Sequence, residues 1–98
     1  MHGRRSVSIS TMRLVFRKND LPLSRFAVVV STKIDKRATV RNRIKRLIRE
    51  SVRLLMPEIT RGVDCVLCAQ GRWGQVSQRT VEGNVRELLV KAGALKKY

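Results

Sequence analysis

Groups that perform acid–base or metal chemistry are scarce in this chain, which has one histidine, His2, two cysteines and seven aspartates and glutamates. A Ser, His and Asp triad would have to draw on His2 at a fraying terminus, and zinc, which takes four ligands, finds too few. Metal-dependent nucleases hold ions between clustered carboxylates, yet Asp64 falls on an expected strand and Asp20 and Asp35 in expected loops, with no pair following from their spacing. No catalytic side chain and no protein-bound metal or other cofactor is therefore expected. Aromatic rings are limited to Phe16, Phe26, Trp73 and Tyr98, so there are few platforms on which a base could stack. No apolar run approaches the ~20 residues of a bilayer-spanning helix, and the N-terminus lacks the apolar block of a secretory signal. A cytoplasmic protein with no membrane partner is expected.

Acidic residues are scarce relative to their counterparts: 22 Lys and Arg stand against the seven acids, a formal charge of +15 on 98 residues. A surface so one-sided favours polyanionic partners, nucleic acid before anionic membrane. With 43% hydrophobic residues the chain can bury a core, unlike a basic disordered tail. The length suits one domain spanning residues 1–98, and no repeat or low-complexity segment interrupts it.

Residues 6–17 alternate, but the apolar set changes parity between Ile9 and Met12, which predicts a bulged strand or two short ones. After the turn chemistry of Asn19-Asp20-Leu21-Pro22, the run Phe26–Val30 predicts a strand buried on both faces and central in its sheet. Thr39 is placed to cap a helix in which Val40, Ile44, Leu47, Ile48, Val52 and Leu55 recur at helical spacing until Pro57. Val63–Ala69 reads as a strand whose Cys65 and Cys68, three apart, face opposite sides and suit neither a shared ion nor a disulfide. Ser77 then caps a second helix, closed by Gly93 and weakened by Gly83 within it. The order predicts an α+β fold with helices packed on one mixed sheet.

The first helix carries the strongest functional signal. Its apolar positions cluster around Ile44, and on a wheel of 100° per residue Asn42, Arg46, Arg49 and Arg53 occupy the opposite side, with Arg43 and Lys45 flanking it. Glu50 is the only acid. Neighbours such as Lys45, Arg49 and Arg53 repel one another at i,i+4, a cost that an external anion would remove. Arginine's planar fork suits phosphate, and the stripe's length suits a nucleic-acid backbone better than a lone metabolite.

The segment Val30-Ser31-Thr32-Lys33-Ile34 followed by Arg41-Asn42-Arg43-Ile44-Lys45-Arg46-Leu47-Ile48-Arg49-Glu50 resembles the protein subunit of bacterial ribonuclease P, and the order of elements is similar over residues 2–95. The resemblance implies a fold like that of ribosomal protein S5 domain 2, with a left-handed crossover and without the family's usual N-terminal helix. It implies binding of the catalytic ribonuclease P RNA and of the 5′ leader of precursor tRNA, with magnesium carried by the RNA and no stable protein partner required. The RNA-contacting positions it implies are Lys33, on the strand before the helix, with Arg41, Asn42, Arg43, Lys45, Arg46 and Arg49; Arg53 joins them from the stripe. Phe16 is the candidate for stacking on the leader, with core packing the competing role. Thr32 and Asp35 depart from the family's usual lysine and glycine, and an extra residue precedes Arg41. Two other readings stay open: a ribosomal or general nucleic-acid-binding protein, and an autonomous nuclease.

Overall fold

A computed structural model describes residues 3–95; His2 and Tyr98 lie outside the described residues. The parity change near residue 10 is resolved by a turn: strand β1 (Arg5–Ser8) and strand β2 (Met12–Lys18) form an antiparallel hairpin closed by Ile9 N–H donating to the Met12 carbonyl at 2.9 Å. Strand β3 (Arg25–Val29) precedes helix α1 (Ala38–Leu55), which runs into a short 3₁₀ turn at Met56–Glu58 containing Pro57. Strand β4 (Val63–Ala69) and helix α2 (Gln78–Ala92) complete the order. The sheet runs β1-β2-β4-β3, with only β3 and β4 parallel. No helix among the described residues is long and apolar enough to cross a membrane.

β3 is therefore an edge strand, not the central one that its apolar run predicted. Phe26 and Val28 pack toward the core, whereas Ala27 is exposed and Val29 is 47% exposed. A continuous apolar run signals two apolar faces and does not say whether anything covers the second. The central place belongs to β4, paired on both sides.

Both helices lie on one face of the sheet. Met12, Leu14, Cys65 and Leu67 point into that layer against Ile44, Ile48, Val52 and Leu55 of α1 and Val81, Val85, Leu88 and Leu89 of α2, all buried. A polar lock sets the helices against each other. Ser51, fully buried, donates to the Leu47 carbonyl at 2.8 Å, and Gln78 Nε2 donates to that carbonyl and to Ser51 Oγ at 2.9 and 2.7 Å. A buried amide left unsatisfied is costly, so the contact fixes how α2 sits on α1.

Helix ends follow two different rules. Ser77 caps α2 through Thr80 N–H at 3.2 Å, and Gly93 closes it in the left-handed region at φ 71°. α1 lacks the Thr39 cap: its N-cap is Arg37, with no side-chain bond, and Thr39 sits inside the first turn. The preceding loop is tied instead by Asp35, whose Oδ1 accepts from Arg37 N–H at 2.8 Å, and by Arg41, which donates to the carbonyls of Asp35 and Lys36. At Gly71 a Cβ would meet the Ser10 carbonyl at 2.6 Å, which requires glycine where the loop after β4 passes the hairpin turn.

Candidate nucleic-acid interface

α1 buries its apolar face and leaves a basic one outward. Asn42, Arg43, Arg46, Arg49 and Arg53 are exposed, and Lys45 is half-buried along the same groove. Their engagements differ. Arg53 forks Glu50, holding that carboxyl below the usual range, and Arg43 donates to the Val76 carbonyl at 3.2 Å. Among the described residues, Asn42, Lys45, Arg46 and Arg49 have no hydrogen-bonding side-chain partner and the three bases no ion pair. Arg41 stands apart from the stripe, half-buried and spent on the loop carbonyls. Lys33 lies not on a strand but in an exposed turn after β3, closed by Ile34 N–H donating to the Ser31 carbonyl at 3.1 Å.

A second basic surface gave no comparable signal in the sequence. On the sheet face turned away from the helices, register brings three rows together: Arg17, Asp64 and Arg25; Val15, Val66 and Ala27; Arg13, Cys68 and Val29. No described helix packs over them. Arg25 forks Asp64 at 2.8 and 2.6 Å, Arg17 approaches it at 3.8 Å, and Asn19 Nδ2 donates to it at 2.8 Å. These partners, Arg25 first, hold the Asp64 carboxyl far below its ordinary range. The clue that could have found this face is parity: Arg13, Val15 and Arg17 alternate with Met12, Leu14 and Phe16, which point to the core.

Phe16 accordingly faces the helix layer. It packs against the core, opposite Cys65 and Arg5, and its accessible part lines a cavity of about 610 Å³ near the C-terminus of α2. Cys65 is buried, with its thiol pushed up to about 12 by desolvation, while Cys68 is half-exposed on the other face, and both are free. The carboxylates of Asp35, Glu50, Glu58 and Asp64 are each paired with arginine, and no group of three or more His, Cys, Asp or Glu among the described residues gathers to hold a metal.

A two-layer α+β sandwich with a long arginine-rich helix face and a bare, partly basic sheet face defines the class: a small, strongly basic α+β domain. Comparison with known proteins says which one of that class: a sequence model of the family described as Ribonuclease P matches residues 1–93, and the chain belongs to that family. A ribonuclease P protein component from Thermoanaerobacter sp. (strain X514) is 36% identical over 87 residues, 89% of this chain and 74% of the relative. One from Xanthomonas oryzae pv. oryzae (strain MAFF 311018) is 37% identical over 91 residues, 93% of this chain but only 61% of the longer relative. Among solved structures, the RNase P protein from Thermotoga maritima in complex with 1-(4-fluorophenyl)-2-thiourea aligns with TM-score 0.78 and 31% identity, covering 88% of this chain and 83% of that one. The Staphylococcus aureus RNase P protein, at 22% identity, TM-score 0.83 and coverage of 95% and 84%, shares the fold.

Proposed function

We propose that the chain acts as the protein subunit of ribonuclease P in tRNA processing, binding the enzyme's RNA through the outer face of α1 and the 5′ leader of precursor tRNA through a separate surface. The observation that carries the first part is the set Lys45, Arg46 and Arg49, three cations on one helix face with no acid of their own. Cations so placed release counter-ions on meeting phosphates, a sequence-independent gain that depends steeply on salt. Family membership supplies the identity of the RNA.

The bare sheet face suits the leader. A single strand needs a few cations for its backbone and apolar surface for its bases, and this face offers Arg13 and Arg17 beside Val66, Ala27 and Val29. Phe16 points the other way, and in this reading its role is packing. In this reading hydrolysis falls to the RNA with its magnesium ions; in keeping with it, Asp35, Glu50, Glu58 and Asp64 are each paired with arginine, and no three His, Cys, Asp or Glu gather among the described residues.

Reconstitution with a bacterial ribonuclease P RNA tests the proposal. The protein lowers the magnesium concentration required for cleavage of precursor tRNA, and it strengthens binding of a precursor with several unpaired 5′ nucleotides more than that of mature tRNA. Equal effects on both substrates would return the chain to the general nucleic-acid-binding class, and cleavage by repurified RNA-free protein would establish an autonomous nuclease.

A further inference from the structure

Beside the N-terminal half of α1 lies a cleft of about 420 Å³, walled by the loop carrying Ile34, Asp35 and Arg37 and by the loop carrying Trp73, Gly74 and Gln75, with Val40 and Ile44 of α1 below. Its size falls within the range of small-ligand sites, roughly 300–1,000 Å³. The floor is apolar and rigid. Ile44 is buried, and Trp73, the chain's single tryptophan, is 7% exposed with its Nε1 donating to the Thr11 carbonyl at 3.0 Å.

The rim is polar and already oriented. Asp35 Oδ1 accepts two bonds from Arg37, through the backbone N–H and Nε, and Oδ2 accepts one from Nη2 at 2.9 Å. An ionised carboxylate offers about four acceptor positions, so one on Oδ2 stays open to a donor. Arginine partners bring that carboxyl down to about 2, so it is an acceptor at neutral pH. Gln75 is exposed and has no partner among the described residues, offering both a donor and an acceptor. Arg43 joins the two regions: it lines this cleft and belongs to the basic face of α1.

An apolar-floored cleft with a hydrogen-bonding rim, beside the basic face of α1, has the chemistry of a base site. We propose that the cleft takes one unpaired nucleobase of the RNA strand that α1 holds, its face against the Val40, Ile44 and Trp73 floor and an amino group of its edge donating to Asp35. Arg43 then holds the phosphate of the same nucleotide. The proposal rests on the reading of α1 as the RNA-binding helix and adds a base contact to a backbone contact.

Trp73 is the only indole, so the emission has a single source, at the floor of the cleft. The whole chain is titrated at low salt with a single-stranded oligoribonucleotide and with inorganic polyphosphate. Both bind, and polyphosphate competes with RNA, but only RNA alters Trp73 emission. Val40→Phe, which fills the slot, abolishes the emission change and weakens RNA binding by roughly tenfold, within the worth of one stacked base, while polyphosphate binding is retained. Gln75→Ala, at an exposed side chain with no partner among the described residues, gives a smaller reduction of the same kind. RNA binding with unaltered Trp73 emission, or the same change with polyphosphate, overturns the base site and leaves the α1 reading intact. Absence of RNA binding at low salt overturns both.

Discussion

Two arginine-rich surfaces of this molecule treat their charge in opposite ways. On the bare sheet face Arg17 and Arg25 converge on Asp64, which Asn19 also holds, so both are tied to an internal acid, while Arg13 has no ion pair among the described residues. On α1 a single acid, Glu50, is taken by Arg53, and Lys45, Arg46 and Arg49 are left to solvent. The same residue type is an internal tie in one place and unmatched charge in the other, and the difference lies in whether an acid sits at contact distance. On the proposed reading, binding through α1 is accordingly expected to be driven by charge and sensitive to salt. Contacts of a leader on the sheet face are expected to lean more on Val66 and Val29 and to respond less to salt.

The largest effect is expected from attacking the unmatched charge. Arg46→Ala combined with Arg49→Ala weakens RNA binding and flattens the dependence of log K on log salt by roughly 0.7–0.9 for each phosphate no longer neutralised. Arg17→Ala combined with Arg25→Ala changes that slope less while lowering thermal stability; equal slopes would erase the distinction between the two faces. Titrating affinity against salt for both double variants decides it.

A smaller effect follows from removing the acid. Asp64 is held ionised by Arg25, Asn19 and Arg17, so its carboxyl lies lower in the folded chain than in the unfolded one. Its stabilising contribution is fully present above the unfolded value of about 4 and is lost as pH falls below it. Asp64→Asn therefore lowers the melting temperature at pH 7, and the gap from the unaltered chain narrows between about pH 4 and pH 2. A gap that stays constant over that interval would remove Asp64 from the account of acid stability.

The smallest change concerns neither face. Gly83 lies in α2, exposed, and a methyl group added there would meet nothing within 4 Å. Gly83→Ala is expected to stabilise the fold by about 0.5–1 kcal/mol in chemical denaturation and to leave the salt slope of RNA binding unaltered.

What could be read from the sequence was mostly what has a local cause, although the Thr39 cap, as local a signal as any, is not formed. The apolar period of α1, the Ser77 cap, the Gly93 terminus and the opposed directions of Cys65 and Cys68 each depend on residues a few positions apart, and the structure contains all of them. The basic stripe was legible for the same reason, because residues on one helix face share a fixed angular spacing. The rank of β3 in the sheet was not, since its neighbour β4 lies more than thirty residues away and only pairing decides which strand is the edge. Arg41 shows a related limit: its place in the motif groups it with Arg43 and Arg46, whereas its guanidinium closes the loop at Asp35 and Lys36. The ring of partners around Asp64 spans Asn19, Arg17 and Arg25, three separate points of the chain that only the register aligns.

β4 fills the gap between β2 and β3, and both of those strands precede α1 in the chain. During synthesis from the N-terminus, the β1–β2 hairpin, β3 and the whole cationic helix are therefore made before the strand that joins them exists. Until β4 arrives, β2 and β3 each have an open hydrogen-bonding edge, and the apolar side of α1 has no completed sheet to cover it. The sheet therefore closes only when its last strand inserts between two earlier ones, a pairing that spans more than thirty residues of chain.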